Sequence, residues 1–219
     1  MNHLIIGNKN YSSWSLRPWL LLSYFDIPFE ETRIPLYSAT SKKELLRYSP
    51  AGKVPVFQHN GITVWDSLAI CEFIAEVYSE YNCWPKQLGH RAKARSISHE
   101  MHSGFTALRN QLPMNCRLHG KLNGIGSELR SDIDRIQAIW RACRKEHAQS
   151  GPFLFGEFSI ADAMFAPVVL RFDSYGIDVG DIENNYMDTV LKIPAMKSWI
   201  KAGMREVEHI EMFEVNVDV

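Results

Sequence analysis

Four hydroxyls stand within five residues near the amino terminus, Tyr11, Ser12, Ser13 and Ser15, in the run NKNYSSWSLRPW from Asn8 to Trp19. Such groups donate hydrogen bonds to an anion at neutral pH without being charged themselves. Pro18 and the apolar pattern behind it (Leu20, Leu21, Tyr24) predict a helix from about Pro18 to Phe25, because proline suits a first helical position. A helix start collects unpaired N–H groups and partial positive charge, so adjacent hydroxyls are suited to a thiolate or another small anion. The competing reading is that the serines only cap the helix, and it is the one preferred for Ser15. Gly52-Lys53-Val54-Pro55, entering a strand, and Asp66-Ser67, opening a helix, are the other stretches whose residue types carry chemistry. His99 and His102 flank Glu100, but the HExxH register is missing and no further ligand cluster is near in sequence, so no metal is expected.

These residues need elements to hold them. Leu4 to Gly7 is apolar at every other position on both faces and reads as an interior strand. The helix after it and a second strand, Phe29 to Ile34, complete a βαβ unit. Ser41 to Tyr48 reads as a short helix with a Ser41–Glu44 capping box. Asn60-Gly61 supplies a two-residue turn between Val56-Phe57 and Ile62 to Trp65. Asp66-Ser67 then caps a helix with the stripe Leu68, Ile70, Cys71, Ile74, Val77, Tyr78. The order β-α-β-α-β-β-α is that of an α/β thioredoxin-like domain over residues 1–80. A polar linker, 81–90, leads to an all-α domain, 91–219, in which Ser159 to Phe172 is apolar nearly all round and is expected to be the buried central helix. Ser159 and Asp162 form a capping-box pattern at its start. Pro113 to Gly126 is an irregular loop of a length that is more often functional than idle.

Composition narrows the function. The 219 residues carry a formal net charge of -1, which gives no electrostatic reason to bind nucleic acid or an acidic membrane. The first apolar run is too short for a signal peptide and no stretch approaches membrane-spanning length, so a cytoplasmic protein is expected. Cys71, Cys83, Cys116 and Cys143 lack CxxC spacing and are expected to be free thiols.

Taken together, the serine loop with Arg17 after it, Gly52-Lys53-Val54-Pro55, Asp66-Ser67 and Ser159-Ile160-Ala161-Asp162 resemble a glutathione S-transferase, and in their order and spacing they cover most of the chain. The serine loop is most similar to the zeta and theta-like bacterial branches. No cysteine stands in it, which fits the disulfide-reductase branches poorly. The resemblance implies glutathione as co-substrate, a two-fold homodimer and no metal. A free cysteinyl thiol has a pKa of about 8.5, and lowering it by two units takes about 2.7 kcal/mol. A hydroxyl bond to a charged acceptor supplies about 1.5–3 kcal/mol, and a helix N-terminus adds about 0.3–1 kcal/mol. One hydroxyl and the helix end therefore suffice. The zeta-like register selects Ser12 as donor and the theta-like register Ser13; Ser12 is preferred, with Tyr11 the third candidate.

The same resemblance implies a cis bond before Pro55, leaving the Val54 backbone to pair with the cysteinyl residue of the tripeptide. Asp66 and Ser67 would meet its γ-glutamyl end, and Lys53 its glycyl carboxylate. The implied activity is conjugation of small hydrophobic electrophiles. The alternatives are a glutathione-dependent cis–trans isomerase of the maleylacetoacetate type, for which Arg109, Arg117 and Arg171 are candidate cations, a non-catalytic binder of the same fold, and a redox protein working through its own thiol.

Overall fold

A computed structural model describes residues 1–122 and 124–218. The first strand, β1 (Asn2–Ile6), is central to a four-stranded sheet, with β2 (Glu30–Arg33) parallel on one side and β3 (Val56–His59) antiparallel on the other. β4 (Ile62–Trp65) pairs with β3 and closes the order β2-β1-β3-β4. The Asn60-Gly61 turn has both residues at positive φ, the backbone hand that matches a hairpin's twist. Alternation along β1 explains its continuous apolar run. Leu4 and Ile6 face the main core, while Ile5 joins Ile34, Leu45 and Val56 in a smaller cluster on the other face of the sheet.

Helix α1 is Ser13–Tyr24, and its start corrects the expectation. The helix begins at Ser13, not Pro18, and Pro18 lies inside it. There it forgoes one bond, to the carbonyl four residues back. The consequence is functional: Ser13 and Ser15 are in the first helical turn, and Ser12 is the N-cap. Ser15 does not cap. Its hydroxyl is buried and accepts from the Gly7 N–H at 3.1 Å, which ties the helix to the end of β1. The capping box expected at α2 (Ser41–Leu45) is also absent. Ser41 instead donates to the Pro35 carbonyl at 2.5 Å and accepts from the Ser38 N–H at 2.7 Å, so its side chain shapes the preceding loop.

Helix α3 (Ser67–Val77) closes the α/β half, and six helices follow among the described residues: α4 (Leu88–Ser103), α5 (Thr106–Gln111), α6 (Ser127–His147), α7 (Ile160–Ser174), α8 (Asp181–Lys192) and α9 (Pro194–Met204). α7 is the central helix of this half, buried at nearly every position. α1 packs on it, so the two halves share one core. The Ser159–Asp162 pattern forms as expected: the Ser159 N–H and hydroxyl reach the Asp162 carboxylate at 2.9 and 3.0 Å. Gly203 of α9 lies so close to the first loop that a Cβ there would sit 3.0 Å from the Asn10 nitrogen. The tail beyond α9 folds back over that loop, where Glu206 accepts from the Lys9 and Asn10 N–H groups at 2.7 and 3.0 Å.

Candidate active site

A cavity of about 540 Å³ opens where the first loop meets the helical half. The α/β half contributes Tyr11, Ser12, Ser13, Trp14, Lys53 and Val54, and the helical half contributes Arg109, Pro113, Met114 and Arg171. Five of the expected site residues are thus brought together. The Val54–Pro55 bond is cis. Pro55, Asp66 and Ser67 do not line this cavity. Of the Pro113 to Gly126 loop, Pro113 and Met114 reach the wall; Leu118 and His119 do not, and Asn123 lies outside the described residues.

The hydroxyls differ in what already holds them. Ser12 Oγ lies 2.7 Å from Ser15 Oγ and only 3.4 Å from the Ser15 N–H. Ser15 Oγ accepts from the Gly7 N–H and keeps a second lone pair, so either serine can be the donor in the Ser12–Ser15 pair. Ser13 Oγ accepts from Arg171 Nη2 at 3.2 Å. The Tyr11 hydroxyl is engaged by Arg117 and Glu214 and accepts from the Ile210 N–H at 3.3 Å. Burial and the Glu214 carboxylate raise its pKa, so it stays neutral.

The cations are the feature that sequence left unplaced. Arg171 is fully enclosed. Its Nε donates to the Leu112 carbonyl at 2.7 Å, and burial, with Arg109 nearby, pushes its pKa down to about 9. Arg109 caps the carboxyl end of α4, donating to the carbonyls of Met101, His102 (3.1 Å) and Gly104 (2.9 Å), where the helix dipole favours a positive charge. Its Nη1 has no partner. Arg17 is buried behind them with Nε and Nη2 unpartnered; burial and the two other arginines hold its pKa well down. Trp14 links the group, with the Arg17 and Arg109 guanidinia 4.3 and 4.7 Å from its ring centroid.

Asp66 and Ser67 connect to the same cluster from below. Arg17 Nη1 donates to Ser67 Oγ at 3.3 Å, and Asp66 pairs with His102 Nε2 at 3.1 Å. Asp66 also caps α3, accepting from the Leu68 and Ala69 N–H groups, and it holds φ 78°, a strained value for a residue with a Cβ. The thiols of the chain are no rival nucleophiles. All four are free and buried, and burial raises Cys71 far up, Cys116 to about 12, and Cys83 and Cys143 to about 11.

Residues 11–77 match the family model described as the glutathione S-transferase N-terminal domain, and residues 100–202 that of its C-terminal domain. A probable maleylacetoacetate isomerase of Caenorhabditis elegans is 30% identical over 192 residues, spanning 85% of this chain and 87% of the relative. The chain belongs to the glutathione S-transferase family. Glutathione S-transferase hmp2 of Hypomyces subiculosus is 35% identical over 194 residues, 81% of this chain and 87% of its own. Among solved structures, a glutathione transferase homologue from Burkholderia gl BGR1 with bound glutathione superposes with a TM-score of 0.71 at 22% identity, covering 92% of this chain and 97% of that one. A Tau class transferase from mango gives the same TM-score at 18% identity, covering 92% and 95%. These two likenesses establish the fold: a thioredoxin-like half with a mixed sheet, followed by a helical half. Within this glutathione S-transferase family member, the signal that marks Arg171 is available in hindsight: it is the one cation in a mostly apolar buried helix.

Proposed function

We propose that the chain is a glutathione transferase in which Ser12 keeps the glutathione sulfur ionised for attack on a small electrophile. One observation carries the reading: Ser12, at the N-cap of α1, lines the same cavity as Val54 and Lys53. With Ser15 donating to Ser12, the chain of bonds from the Gly7 N–H would polarise the Ser12 hydroxyl for donation to the sulfur. Ser13, with its oxygen occupied by Arg171, is the second donor, and Tyr11 has no proton to offer. Val54 would pair its backbone with the cysteinyl unit beside the cis Pro55. Lys53 would meet the glycyl carboxylate, and Ser67 with Asp66 the γ-glutamyl end, with Arg17 orienting Ser67. The thiolate then adds to the electrophilic carbon held beside it.

Glutathione is titrated into the protein and the ultraviolet thiolate band is followed from pH 5 to 9. The band at neutral pH, lost in Ser12→Ala, supports the assignment. Bound glutathione that stays fully protonated at pH 7 reduces the chain to a binder of the same fold.

A second reading is favoured by a separate observation. Arg109 and Arg171 reach the cavity, and among the described residues no carboxylate pairs with Arg171, which suits an electrophile that is itself an anion. Addition of the thiolate to a conjugated double bond, rotation and elimination would make the chain an isomerase of unsaturated carboxylates. Turnover of an unsaturated dicarboxylate without net consumption of glutathione selects this reading; conjugation of neutral aryl halides selects the first. In either case we read residues 1–80 and 91–219 as the two domains joined by 81–90. Exposed Ile62 and Trp65 on edge strand β4 support a homodimer. Four unpaired thiols support a reducing, cytoplasmic setting.

A further inference from the structure

Away from the cavity, the first turn of α4 and the last turn of α6 bring together His90, Glu146 and His147, each offering one ligand atom, all within 4.8 Å of one another. We propose that these three residues form a binding site for a divalent zinc-type cation that clips the two helices together.

The geometry is close to that of a ligated ion. Two ligands at about 2.0–2.1 Å from a tetrahedral zinc stand about 3.3 Å apart. Here His90 Nε2 lies 3.4 Å from Glu146 Oε1, and His147 Nε2 lies 3.8 Å from the same oxygen. The imidazole rings meet edge to face, 4.4 Å between centroids. His147 is the more telling ligand. Its side chain is 5% exposed, and its Nε2 has no hydrogen-bond partner among the described residues although Glu146 Oε1 lies 3.8 Å away. A buried polar atom without a partner carries a desolvation cost that a bound cation removes. Phe155, 5.2 Å from the His147 ring, backs it on the protein side.

The surroundings suit the ion. Glu146 spends its other oxygen on Lys93 Nζ at 2.7 Å, so one carboxylate oxygen stays free for monodentate ligation and the carboxylate is already oriented. His90 lines a surface cavity of about 320 Å³, which gives a water access to the fourth position. Two imidazoles and one carboxylate select zinc, cobalt or nickel over calcium or magnesium, which take mostly oxygen ligands. α4 and α6 run antiparallel, as the second contact Arg135–Glu100 (2.6 Å) shows, and the ion would close the opposite end of that pair.

The test is zinc titration of the full-length protein after chelator treatment and dialysis, read by calorimetry, with cobalt as a spectroscopic probe of coordination. One zinc per chain is expected, with Kd of about 10 μM or tighter. His90→Gln, at a half-exposed position that leaves the helix intact, weakens binding at least tenfold and removes the tetrahedral cobalt bands. Lys93→Met goes the other way and tightens binding severalfold, because removing a positive charge beside the cation outweighs the lost orientation of Glu146, a gain that damage to the fold cannot produce. Binding weaker than about 100 μM, or zinc binding that His90→Gln leaves unchanged, overturns the proposal.

Discussion

The two ends of helix α7 each bury a charge, and they treat it in opposite ways. At its start, Asp162 receives four donors: the Leu154 and Ser159 N–H groups, the Ser159 hydroxyl and the Tyr186 hydroxyl, at 2.9–3.2 Å. Toward its end, Arg171 has two carbonyls and a serine oxygen but, among the described residues, no carboxylate, and its charged neighbour Arg109 repels it. A buried charge that is fully solvated by protein groups is part of the fold. One that is left short of counter-charge stores a cost that an anionic ligand relieves. The difference marks Asp162 as structural and Arg171 as a candidate to meet an anion, without reference to the reaction.

That contrast is easiest to break at Asp162. Asp162→Ala strands four donors and should cost about 3–5 kcal/mol in denaturant unfolding, the largest effect expected here. The acid also leaves a pH signature. Burial lifts its pKa from 3.8 to about 6, so the folded chain holds the proton more tightly than the unfolded one. Stabilisation from this group is complete below about pH 4 and is lost as pH rises through about 6. Relative to Asp162→Asn, the wild type should therefore lose up to about 3 kcal/mol between those values; a flat difference would show that the four donors outweigh burial.

Ser12 comes next. Ser12→Ala should lower kcat/KM about 10- to 100-fold, the worth of one hydroxyl bond to a thiolate, while Ser13→Ala costs only a few-fold. The reverse order would move the donor to Ser13 and its Arg171 bond.

Arg171→Met tests the other end of α7. It should leave stability unchanged or raise it, because an unneutralised buried charge is removed, and should reduce turnover of a carboxylate-bearing electrophile about tenfold relative to a neutral one. An anion preference that survives Arg171→Met unchanged would assign the selectivity to Arg109. The smallest effect is at α2, where Glu44→Ala should change stability by less than about 0.5 kcal/mol because the capping box is not formed.

Sequence alone determined the elements whose signals are local. Alternation in Leu4-Ile5-Ile6, the Asn60-Gly61 turn, the Asp66 cap and the Ser159–Asp162 box each depend on neighbours within a few residues, and each stands where it was expected. The same locality produced the errors. Pro18 signals a helix start on its own, but the bond from Ser15 to the Gly7 N–H and the packing of α1 on α7 pull the start back to Ser13. α8, with Asp, Glu and Asn along most of its length, shows its buried stripe of Tyr186, Met187 and Val190 only when α6 and α7 are beside it. Tertiary structure alone decided the electrostatics of the cavity. Arg17, Arg109 and Arg171 are 62 or more residues apart in neighbouring pairs, and an arginine's spacing says nothing about what lies across a domain boundary. It also decided which hydroxyls are engaged by distant groups, because Tyr11 is taken by Arg117 and Glu214 and Ser13 by Arg171, partners that only the closed fold brings within reach.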